Sequence, residues 1–401
     1  MLEVEEAQLR ILSAMGRLGN ETVALREAPG RILAAPVTSA INLPPFDNSA
    51  MDGYAVVALD LTGASADRPV TLRLMGRVAA GEVFRGKVVP GTCVRLFTGS
   101  PLPDGADAVV MQEDTRRDSG ESDTPAFLDS VKPWENVRLK GEDVKRGTVL
   151  IEGGQRLATG QISLLAATGL TEVSVGRQPT IGLVATGSEL VEPGQPLGPG
   201  QIYESNRVGL AALVSQAGGI PRIMPVAEDT LATTRSLLER AFNECDAVVS
   251  TGGVSVGEFD FVKAAFESMG GELAFWKVAM KPGKPFVFGK WREKFLFGLP
   301  GNPVSALVTF LMLVRPALLR LQGASAVQLP THPGILAEAL LNRGDRRHFV
   351  RVKMESDGAV RLAGVQASHI LSSLASANGL VNVPPRTEWS AGEKVSVLQW
   401  E

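Results

Sequence analysis

The sequence predicts a multidomain fold in which a doubly wound α/β domain lies between β-rich segments. With 401 residues, the chain is longer than one ordinary compact core, and domains of about 100 to 200 residues suggest two to four of them. Between residues 178 and 323, apolar strands alternate with helical patterns, which is typical of a mostly parallel sheet. On either side of this region, short runs bounded by Gly, Pro and Asp indicate β structure.

The N-terminal part combines one helix with short strands. Residues 3–19 place apolar side chains on one helical face, and we expect Gly19 and Asn20 to end this helix. From residue 36 to about 152, runs such as VTLRLMGRV, CVRLF and DAVVMQ predict strands. The polar stretch 115–125 predicts a mobile hairpin tip within this β-rich segment.

Within the α/β region, buried strands lead into amphipathic helices. We expect Asp229 to cap the helix that follows the second strand. In chain order the segments are TIGLVATG, SNRVGLAALVSQAGG, IPRIMPV, DTLATTRSLLERAFNEC, DAVVSTGG, EFDFVKAAFESMGG, ELAFWKVAM, KPFVFGK, KFLFGLP and NPVSALVTFLMLVRPALLRLQG. From residue 330 the pattern returns to β structure, with a hairpin signal at Asp357-Gly358 and a last strand in VSVLQW. A small terminal barrel or sandwich is expected there.

Composition excludes several classes of function. The net charge is −3, with 40 basic and 43 acidic residues, so no global positive field draws the chain onto nucleic acid or an anionic membrane. The N-terminus is acidic, and no apolar run approaches the roughly 18 residues of a membrane span, so we expect neither export nor membrane insertion. Cys93 and Cys245 show no metal-ligand spacing, and the chain has only three histidines. We therefore expect a cytoplasmic protein whose carboxylates bind any metal.

Several loops follow the carboxyl ends of the predicted parallel strands, where ligands of such sheets bind. They are residues 186–189, Glu228-Asp229, TGGVSVG at 251–257, and PGNPVSA from residue 300. In the last loop we expect Gly301 to supply backbone freedom, Asn302 to cap a helix, and Pro303 to be its first residue.

The two glycine-rich loops, TGGVSVG and PGNPVSA, offer backbone N–H groups to an anion. For one such loop alone, a tight strand-to-helix connection is the favoured explanation, but two at one sheet edge favour a binding site. The candidate anion-binding residues are Thr251, Gly252, Gly253, Ser255, Gly257, Pro300, Gly301 and Asn302.

Lysines and carboxylates near the same edge suggest phosphate and Mg²⁺. Lys281 and Lys284 lie in the stiff KPGKP stretch, for which a phosphate site and a solvated lysine pair remain equally open. Glu189, Asp229 and Asp260 form the acidic set, and Mg²⁺ uses a few carboxylates beside phosphate oxygens. Asp229 and Asp260 could instead stabilise helix N-termini. The residues alone indicate a phosphate- or nucleotide-handling domain without identifying its substrate.

Eight motifs then identify a family by their order along the chain. They are PPFDNSAMDGYA, FTGSPLPDGADAVVMQED, RLKGEDVKRG, TGSEL, GQIYESN, STGGVSVGEFDF, WKVAMKPGKP and GLPGNPVSA. Over nearly its whole length, the chain resembles the molybdopterin molybdenumtransferase (MoeA) family, whose fold also forms the C-terminal part of gephyrin.

The resemblance implies four domains and an elongated homodimer. The domains are an elongated N-terminal helical and linker domain (1–43 and 141–177), an inserted β-rich domain (44–140), an α/β molybdopterin- and nucleotide-binding domain (178–323) and a C-terminal β-barrel (324–401). It also implies that the site lies between the α/β domain of one subunit and the inserted domain of the other.

The resemblance further implies roles for individual residues. Catalytic roles fall to Asp52, Thr98, Glu189, Lys277 and Lys281; metal binding to Glu189, Asp229 and Asp260; and substrate binding to Arg351 and Ser368, beside Lys284 and the two loops. The family often has two aspartates where this chain has Glu228-Asp229, so either carboxylate could face the metal. Ser188 stands where aspartate is common, which predicts that position 188 is not an essential ligand.

The implied reaction is molybdenum insertion. In such proteins molybdate is transferred to the dithiolene of adenylyl-molybdopterin, the phosphoanhydride is cleaved with the help of Mg²⁺, and AMP leaves. The adenylyltransferase of the preceding step and apoenzymes that accept the cofactor are possible partners.

Two alternatives remain. An ATP-dependent molybdopterin adenylyltransferase shares the TGG and PGNP loops, but it does not explain the inserted β domain with PPFDNSAMDGYA. A non-catalytic scaffold resembling gephyrin is the other, and we expect it less because the chain shows no additional N-terminal domain or long linker.

Overall fold

The computed structural model describes residues 1–116, 124–253 and 261–400. The chain forms two compact units, and each is described by itself. The inserted unit contains residues 36–152 and 159–171, whereas the large unit contains residues 1–35, 153–158 and 172–401. The division into four domains stays a prediction.

The large unit begins with helix α1 (Val4–Ala14) and strand β1 (Asn20–Ala24). Val4, Ala7 and Ile11 are buried along one face of α1, as the helical spacing predicts. The expected end at Gly19-Asn20 is wrong, because Met15 already has an extended backbone (φ −101°, ψ 124°). The apolar pattern continues beyond the helix because Met15 is buried in the same core without being helical.

The inserted unit is built mainly from short strands and one helix. Their bounds are β2 (Val37–Thr38), β3 (Asn48–Ser49), β4 (Gly53–Val56), β5 (Val70–Thr71), β6 (Arg73–Val78), β7 (Thr92–Leu96), β8 (Ala108–Met111), β9 (Thr115–Arg116), β10 (Ala126–Phe127), β11 (Val137–Arg138), β12 (Val149–Ile151) and α2 (Thr159–Ala167). The largest sheet has the order β6-β7-β4-β8. Successive residues of its strands pack into different apolar clusters, for example Val94 into one and Cys93 into the other, so both sheet faces are covered. Strands β9 and β10 pair antiparallel on either side of the predicted hairpin tip, whose residues 117–123 lie outside the described part of the chain.

Strands β4 and β8 approach each other so closely at Gly53, directly after Asp52, that only glycine fits there. A Cβ atom at this position would lie 2.0 Å from the backbone oxygen of Val110. Because a backbone carbonyl cannot rotate away as a side chain can, we expect Gly53→Ala to destabilise the inserted unit by about 1 to 3 kcal/mol. Thermal unfolding of the purified variant measures this.

Gly160→Ala is the matched control in the same unit. An added Cβ at Gly160, near the start of α2, would meet no atom within 4 Å. The midpoint of thermal unfolding of Gly160→Ala should therefore be equal to or slightly above that of the wild type. Equal midpoints for both variants would contradict the explanation of Gly53 by close approach.

The large unit continues with strands and helices that alternate as predicted. Their bounds are β13 (Glu172–Gly176), β14 (Thr180–Thr186), β15 (Leu190–Val191), β16 (Ile202–Tyr203), α3 (Asn206–Gln216), β17 (Ile220–Ala227), α4 (Leu231–Glu244), β18 (Ala247–Thr251), α5 (Phe261–Ser268), β19 (Glu272–Lys277), β20 (Met280–Lys281), β21 (Pro285–Trp291), β22 (Lys294–Leu299), α6 (Pro303–Thr309) and α7 (Arg315–Leu321). The main sheet has the order β17-β14-β18-β22-β21-β19, and its first four strands are parallel. Strand β21 runs antiparallel to both neighbours.

Helices cover both faces of this sheet. Leu183 and Val249 pack with residues of α1, α3, α6 and α7 in one cluster. The adjacent Val184 and Val248 point the other way and pack with α4 and α5. This arrangement confirms the doubly wound, mostly parallel α/β fold predicted from the alternation of patterns.

The long apolar helix predicted near residue 303 contains a π-helical turn. Phe310–Val314 forms that turn between α6 and α7. Among the described residues, Pro303–Leu321 is the one helical run long and apolar enough to cross a membrane, and 83% of it is buried inside the protein. Such burial is typical of the core helix of a globular unit.

Asp246 ties the start of β14 to the start of β18. Its carboxylate accepts two hydrogen bonds from Arg177, at 2.7 and 3.0 Å, and one from the Thr180 N–H at 2.8 Å. Burial raises the pKa of Asp246, but the hydrogen bonds from Arg177 and Thr180 outweigh it and hold the pKa below its usual 3.8. The ionised carboxylate therefore stabilises the folded state.

We expect Asp246→Asn to lower the free energy of unfolding by about 1 kcal/mol near pH 7, since Arg177 is partly solvated. Because the folded pKa is lowered, the wild-type advantage is complete above the unfolded pKa and is lost as the pH falls through the folded pKa. Urea unfolding of both proteins at pH 7 and near pH 3.5 measures this. A difference that grows on acidification would contradict the assignment.

The C-terminal part of the large unit is a small barrel. Its elements are β23 (Thr331–Leu336), β24 (Leu340–Asn342), β25 (Arg347–Met354), β26 (Ala359–Leu362), α8 (Leu371–Ala375), β27 (Gly379–Val383), β28 (Thr387–Trp389) and β29 (Lys394–Gln399). Five strands of the described chain close in the order β25-β26-β23-β29-β27, because β27 also pairs with β25. The hairpin at Asp357-Gly358 is confirmed by the antiparallel pairing of β25 with β26.

Candidate active site

A cavity of about 630 Å³ lies at the carboxyl edge of the main sheet, and we call it the edge cavity. The parallel pairing of β14 with β18 and of β18 with β22 brings the ends of these strands together. Lining residues from the predicted set are Glu189, Thr251, Gly252, Gly253, Pro300, Gly301 and Asn302. The end of β17 contributes no lining residue among those described, so Glu228 and Asp229 do not line the edge cavity.

The TGG and PGN loops contact each other at the edge cavity. Gly252 and Gly253 have φ values of +81° and +64°, and a Cβ at Gly252 would lie 2.8 Å from the Thr186 oxygen. Gly301 has no such φ, so the expectation that it supplies backbone freedom is wrong. A Cβ at Gly301 would instead lie 3.6 Å from the Gly252 Cα, which shows how closely the loops approach. Ser255 and Gly257 lie outside the described residues.

Asn302 occupies the N-cap position of α6 and Pro303 its first turn, as predicted. The Asn302 side chain makes no capping hydrogen bond, however; its Nδ2 donates to the Ser368 Oγ at 3.2 Å. The Ser368 carbonyl accepts a hydrogen bond from the Val304 N–H. The predicted residue Ser368 is therefore held beside the PGN loop, and its neighbour His369 lines the edge cavity.

Asn206, which the sequence did not single out as a site residue, joins the two loops. Its Nδ2 donates to the Thr251 Oγ1 and to the Gly301 carbonyl, both at 2.7 Å. The side chain is 9% exposed, and its Oδ1 is buried without a hydrogen-bond partner among the described residues. An unsatisfied buried acceptor costs about 1 to 3 kcal/mol, so such atoms concentrate at functional sites. Asn206 is the last residue of the motif GQIYESN, but the motif did not indicate that its side chain belongs to the site.

Arg207 anchors the segment that carries several cavity residues. It is 1% exposed, and its guanidinium donates to Glu204 at 2.9 Å, to Glu192 at 2.7 Å and to the Met224 carbonyl. Glu204 is also buried and lines the edge cavity. This ion pair therefore positions residues 189–204 over the edge of the sheet.

We expect Arg207→Lys to destabilise the large unit by about 2 kcal/mol, although the charge is kept. A lysine has one ammonium and cannot reproduce the planar fork that reaches Glu204, Glu192 and Met224 together. Chemical unfolding measures the loss. Arg235→Lys, at an exposed ion pair with Glu239, is the matched control and should change stability by less than about 0.5 kcal/mol. Equal effects at both positions would contradict the anchoring role.

The three predicted lysines, Lys277, Lys281 and Lys284, lie near one another in the chain. None of them is among the described residues that line the edge cavity. Lys281 and Lys284 are exposed, and the Lys277 Nζ lies 4.5 Å from the ring centre of Trp276. Strand β20 pairs in parallel with β25, which places Lys281 opposite His348. Burial, followed by the charges of Lys281, Arg351 and Arg346, lowers the pKa of His348 to about 4. The histidine is therefore neutral near pH 7.

Arg351 is fully buried and donates hydrogen bonds to one side-chain hydroxyl and two backbone carbonyls nearby. Its guanidinium donates to the Ser373 Oγ at 2.9 Å and to the carbonyls of Val365 and Ala367 at 2.9 and 3.2 Å. Burial lowers its pKa from the usual value. These contacts hold the segment that carries Ser368, so they support a positioning role; direct contact with substrate stays a prediction.

Asp52 and Thr98 are in the inserted unit and contact each other. The Asp52 Oδ1 accepts hydrogen bonds from the Thr98 N–H at 2.7 Å and from its Oγ1 at 2.8 Å. The backbone bond, then the hydroxyl bond, and to a lesser extent the charge of Arg95 hold the pKa of Asp52 below 3.8. Asp52 is thus an exposed carboxylate that stays ionised near neutral pH.

Comparisons with known proteins identify the family of this chain. Three family profiles match: "MoeA N-terminal region (domain I and II)" over residues 2–169, "Probable molybdopterin binding domain" over 182–320, and "MoeA C-terminal region (domain IV)" over 333–400. The chain is similar to a molybdopterin molybdenumtransferase of Haemophilus influenzae, with 39% identity over 99% of this chain and 98% of the relative. The chain belongs to the MoeA family.

Other MoeA proteins show the same likeness. A molybdopterin molybdenumtransferase 2 of Mycobacterium tuberculosis is 39% identical over 99% of both chains. The crystal structure of a molybdopterin biosynthesis MoeA protein from Pyrococcus horikoshii has a TM-score of 0.83 and 35% identity, covering 100% of this chain and 99% of that one. Within this MoeA chain, the sheet-edge residues of the edge cavity fall in the molybdopterin-binding profile and Asp52 falls in the N-terminal one.

The predicted metal ligands of this MoeA protein are only partly placed. Glu189 lines the edge cavity, Asp260 lies outside the described residues, and the Asp229 carboxylate accepts the Ser188 N–H at 3.0 Å. Asp229 is not the cap of α4, because Thr230 occupies that position and its side chain accepts from the Thr233 N–H. No group of three His, Cys, Asp or Glu residues placed to hold a metal occurs within the described chain.

The donors at the edge cavity nevertheless fit Mg²⁺. Glu189, which lines the edge cavity, offers a carboxylate to such an ion. Mg²⁺ is commonly held by one or two carboxylates together with waters and substrate phosphates, rather than by a complete protein cage. The donor set therefore suits an ion that arrives with a phosphate-bearing substrate.

Proposed function

We propose that this MoeA protein is a transferase that inserts molybdenum during molybdenum cofactor biosynthesis. Molybdate is transferred to the dithiolene of adenylyl-molybdopterin, the phosphoanhydride is cleaved, and AMP is released. The full-length similarity to proteins named molybdopterin molybdenumtransferase carries this proposal. The edge cavity supports it, because two glycine loops that approach each other closely line it, and such loops are typical of anion sites.

The chain's own residues would serve the reaction by binding and by electrostatics. Cleavage of a phosphoanhydride moves negative charge onto phosphate oxygens, and fixed positive groups and backbone donors stabilise that charge without a nucleophilic side chain. Thr251, Gly252 and Gly253 would hold the phosphate end of the substrate. Lys277, Lys281 and Lys284 would supply positive charge, and Asp52 a carboxylate that is ionised near neutral pH and held by Thr98.

A bound Mg²⁺ would neutralise phosphate charge during cleavage. Glu189 would hold it, and Asp229 and Asp260 remain candidate ligands. We also propose that the active form is a cytoplasmic homodimer, which light scattering on the purified protein measures directly. Ser368, kept in place through Asn302 and through the segment anchored by Arg351, would contact the substrate.

One incubation tests the proposed function. Purified protein is mixed with adenylyl-molybdopterin and Mg²⁺, with and without molybdate, and AMP is measured. Molybdate-stimulated AMP release is expected. Consumption of ATP in the presence of free molybdopterin would instead favour an adenylyltransferase, and binding of a receptor-loop peptide without either activity would favour a scaffold.

A further inference from the structure

A second depression lies beside the edge cavity, and its lining is more apolar. This depression, which we call the apolar groove, has a volume of about 480 Å³. It is formed by α3, α6 and α8 together with the C-terminal end of the chain, all within the large unit. Gly209, Leu213, Leu307, Leu374 and Trp400 supply its walls.

The apolar groove and the edge cavity are neighbours that share lining residues. Ser205, Asn206, Pro303 and Leu371 line both of them. One ligand can therefore place a polar, anionic end against the glycine loops and an apolar end between the helices. A large apolar lining with a few polar groups at one point is typical of small-molecule sites.

Asn206, which lines both depressions, has one side-chain acceptor without a hydrogen-bond partner among the described residues. The Gly301 carbonyl can only accept a hydrogen bond, so the atom that faces it must be the Nδ2 donor. This contact fixes the orientation of the amide and leaves the Oδ1 as the buried acceptor without a described partner. A ligand with an N–H group at this point would satisfy it.

We propose that the apolar groove is a subsite for a flat heteroaromatic ring of the substrate, with the Asn206 Oδ1 accepting a hydrogen bond from a ring amino or N–H group. Purine and pterin rings share the required chemistry, since each has apolar faces and N–H donors at its edge. Burial of the faces against Leu307, Leu374 and Trp400 would stabilise binding, while the phosphate end occupies the edge cavity. This inference rests on the proposed function and states where a ring of that substrate binds.

Leu307→Trp tests the subsite from the protein side. Leu307 lines the apolar groove but not the edge cavity, so a larger side chain should fill the first and leave the second open. Calorimetric titrations use AMP, pterin-6-carboxylic acid and inorganic phosphate as probes. We expect AMP or the pterin to bind at least tenfold more weakly to the variant, with phosphate affinity unchanged. Val208→Trp, on the exposed side of α3, is the matched control and should bind all three like the wild type.

The two rings are distinguished by which probe the variant loses. Weaker AMP binding assigns the apolar groove to the adenine end of the substrate, and weaker pterin binding assigns it to the pterin end. Unchanged affinity for both rings in a folded Leu307→Trp protein would overturn the proposal.

A change in the ligand tests the Asn206 acceptor without altering the protein. If adenine is the ring, purine riboside monophosphate, which lacks the exocyclic amino group, should bind the wild type at least tenfold more weakly than AMP. If pterin is the ring, the pterin probe without its amino group should bind at least tenfold more weakly than the pterin probe itself. Equal affinity would remove Asn206 from the proposal.

The subsite and the proposed function can fail separately. If the wild type releases AMP in response to molybdate and Leu307→Trp has an unchanged KM, the subsite is wrong and the function stands. If the wild type shows no molybdate-dependent release but binds a ring probe in a Leu307-sensitive manner, the function is wrong and a ring-binding groove remains.

Discussion

Lys281→Ala is expected to slow molybdate-dependent AMP release by about 10²-fold or more while the fold is retained, because removal of one preorganised charge from a charge-stabilising site has effects of this size. The side chain is exposed, and strand β20 pairs through its backbone, so truncation should not unfold the barrel. Steady-state turnover and a thermal midpoint measured on the same sample separate activity from stability.

The controls for this lysine come from the same region. Lys290→Ala, at an exposed ion pair with Glu293, should change turnover by less than about twofold, since exposed pairs contribute little. The pKa of His348 provides a readout that needs no substrate: because the charge of Lys281 helps to lower it, it should rise in Lys281→Ala, as followed by NMR titration. Near-normal AMP release by a folded Lys281→Ala protein would remove the lysine from the reaction.

Asp52→Asn is the second substitution with a large expected effect, a loss of about 10²-fold or more in turnover. Asparagine keeps an oxygen that can accept from the Thr98 N–H and Oγ1, so the local structure should remain and only the negative charge is lost. A comparison of kcat and KM between the wild type and Asp52→Asn at pH 7 then reports on the loss of the Asp52 charge alone.

Thr98→Val is the matched control for Asp52. It removes the hydroxyl bond but keeps the backbone N–H, so the pKa of Asp52 should move up toward 3.8. The carboxylate then remains ionised at pH 7, and turnover should fall less than in Asp52→Asn. A loss as large as that of Asp52→Asn would indicate that Thr98 itself contacts the substrate.

Mixed dimers of Asp52→Asn and Lys281→Ala proteins ask whether the two residues act in the same subunit. The family resemblance implies that they act in trans, in which case verified heterodimers should regain part of the activity. Heterodimers with no recovered activity would place both residues in one site of one subunit.

Local patterns predicted most of the fold for a physical reason. The alternation of strands and helices, the hairpin at Asp357-Gly358 and the Pro303 start of α6 depend on periodicity and backbone chemistry within a few residues. The end of α1 was predicted wrongly because the buried Met15 continues the apolar pattern beyond the helix. The cap of α4 was predicted wrongly because two adjacent residues both suit that position. In α4, Thr230 outcompetes Asp229, whose carboxylate is engaged by Ser188 from another loop.

The arrangement of the site depends on hydrogen bonds between residues that are far apart in the chain. Asn206 meets Thr251 and Gly301, which are 45 and 95 residues away, so no local pattern could reveal its bridging amide. The same holds for Arg351, whose type suggests an exposed anion contact but whose guanidinium is buried against the segment after residue 364.

By itself, the sequence determined the class of fold, the sheet edge at which the glycine loops meet, and the family, because these follow from local periodicity and from motifs in a fixed order. Only the tertiary structure decided which polar side chains line the edge cavity and which form the hydrogen bonds and ion pairs that hold its walls in place. Hydrogen-bond partners and burial are set by long-range packing, and a residue's type alone does not specify either.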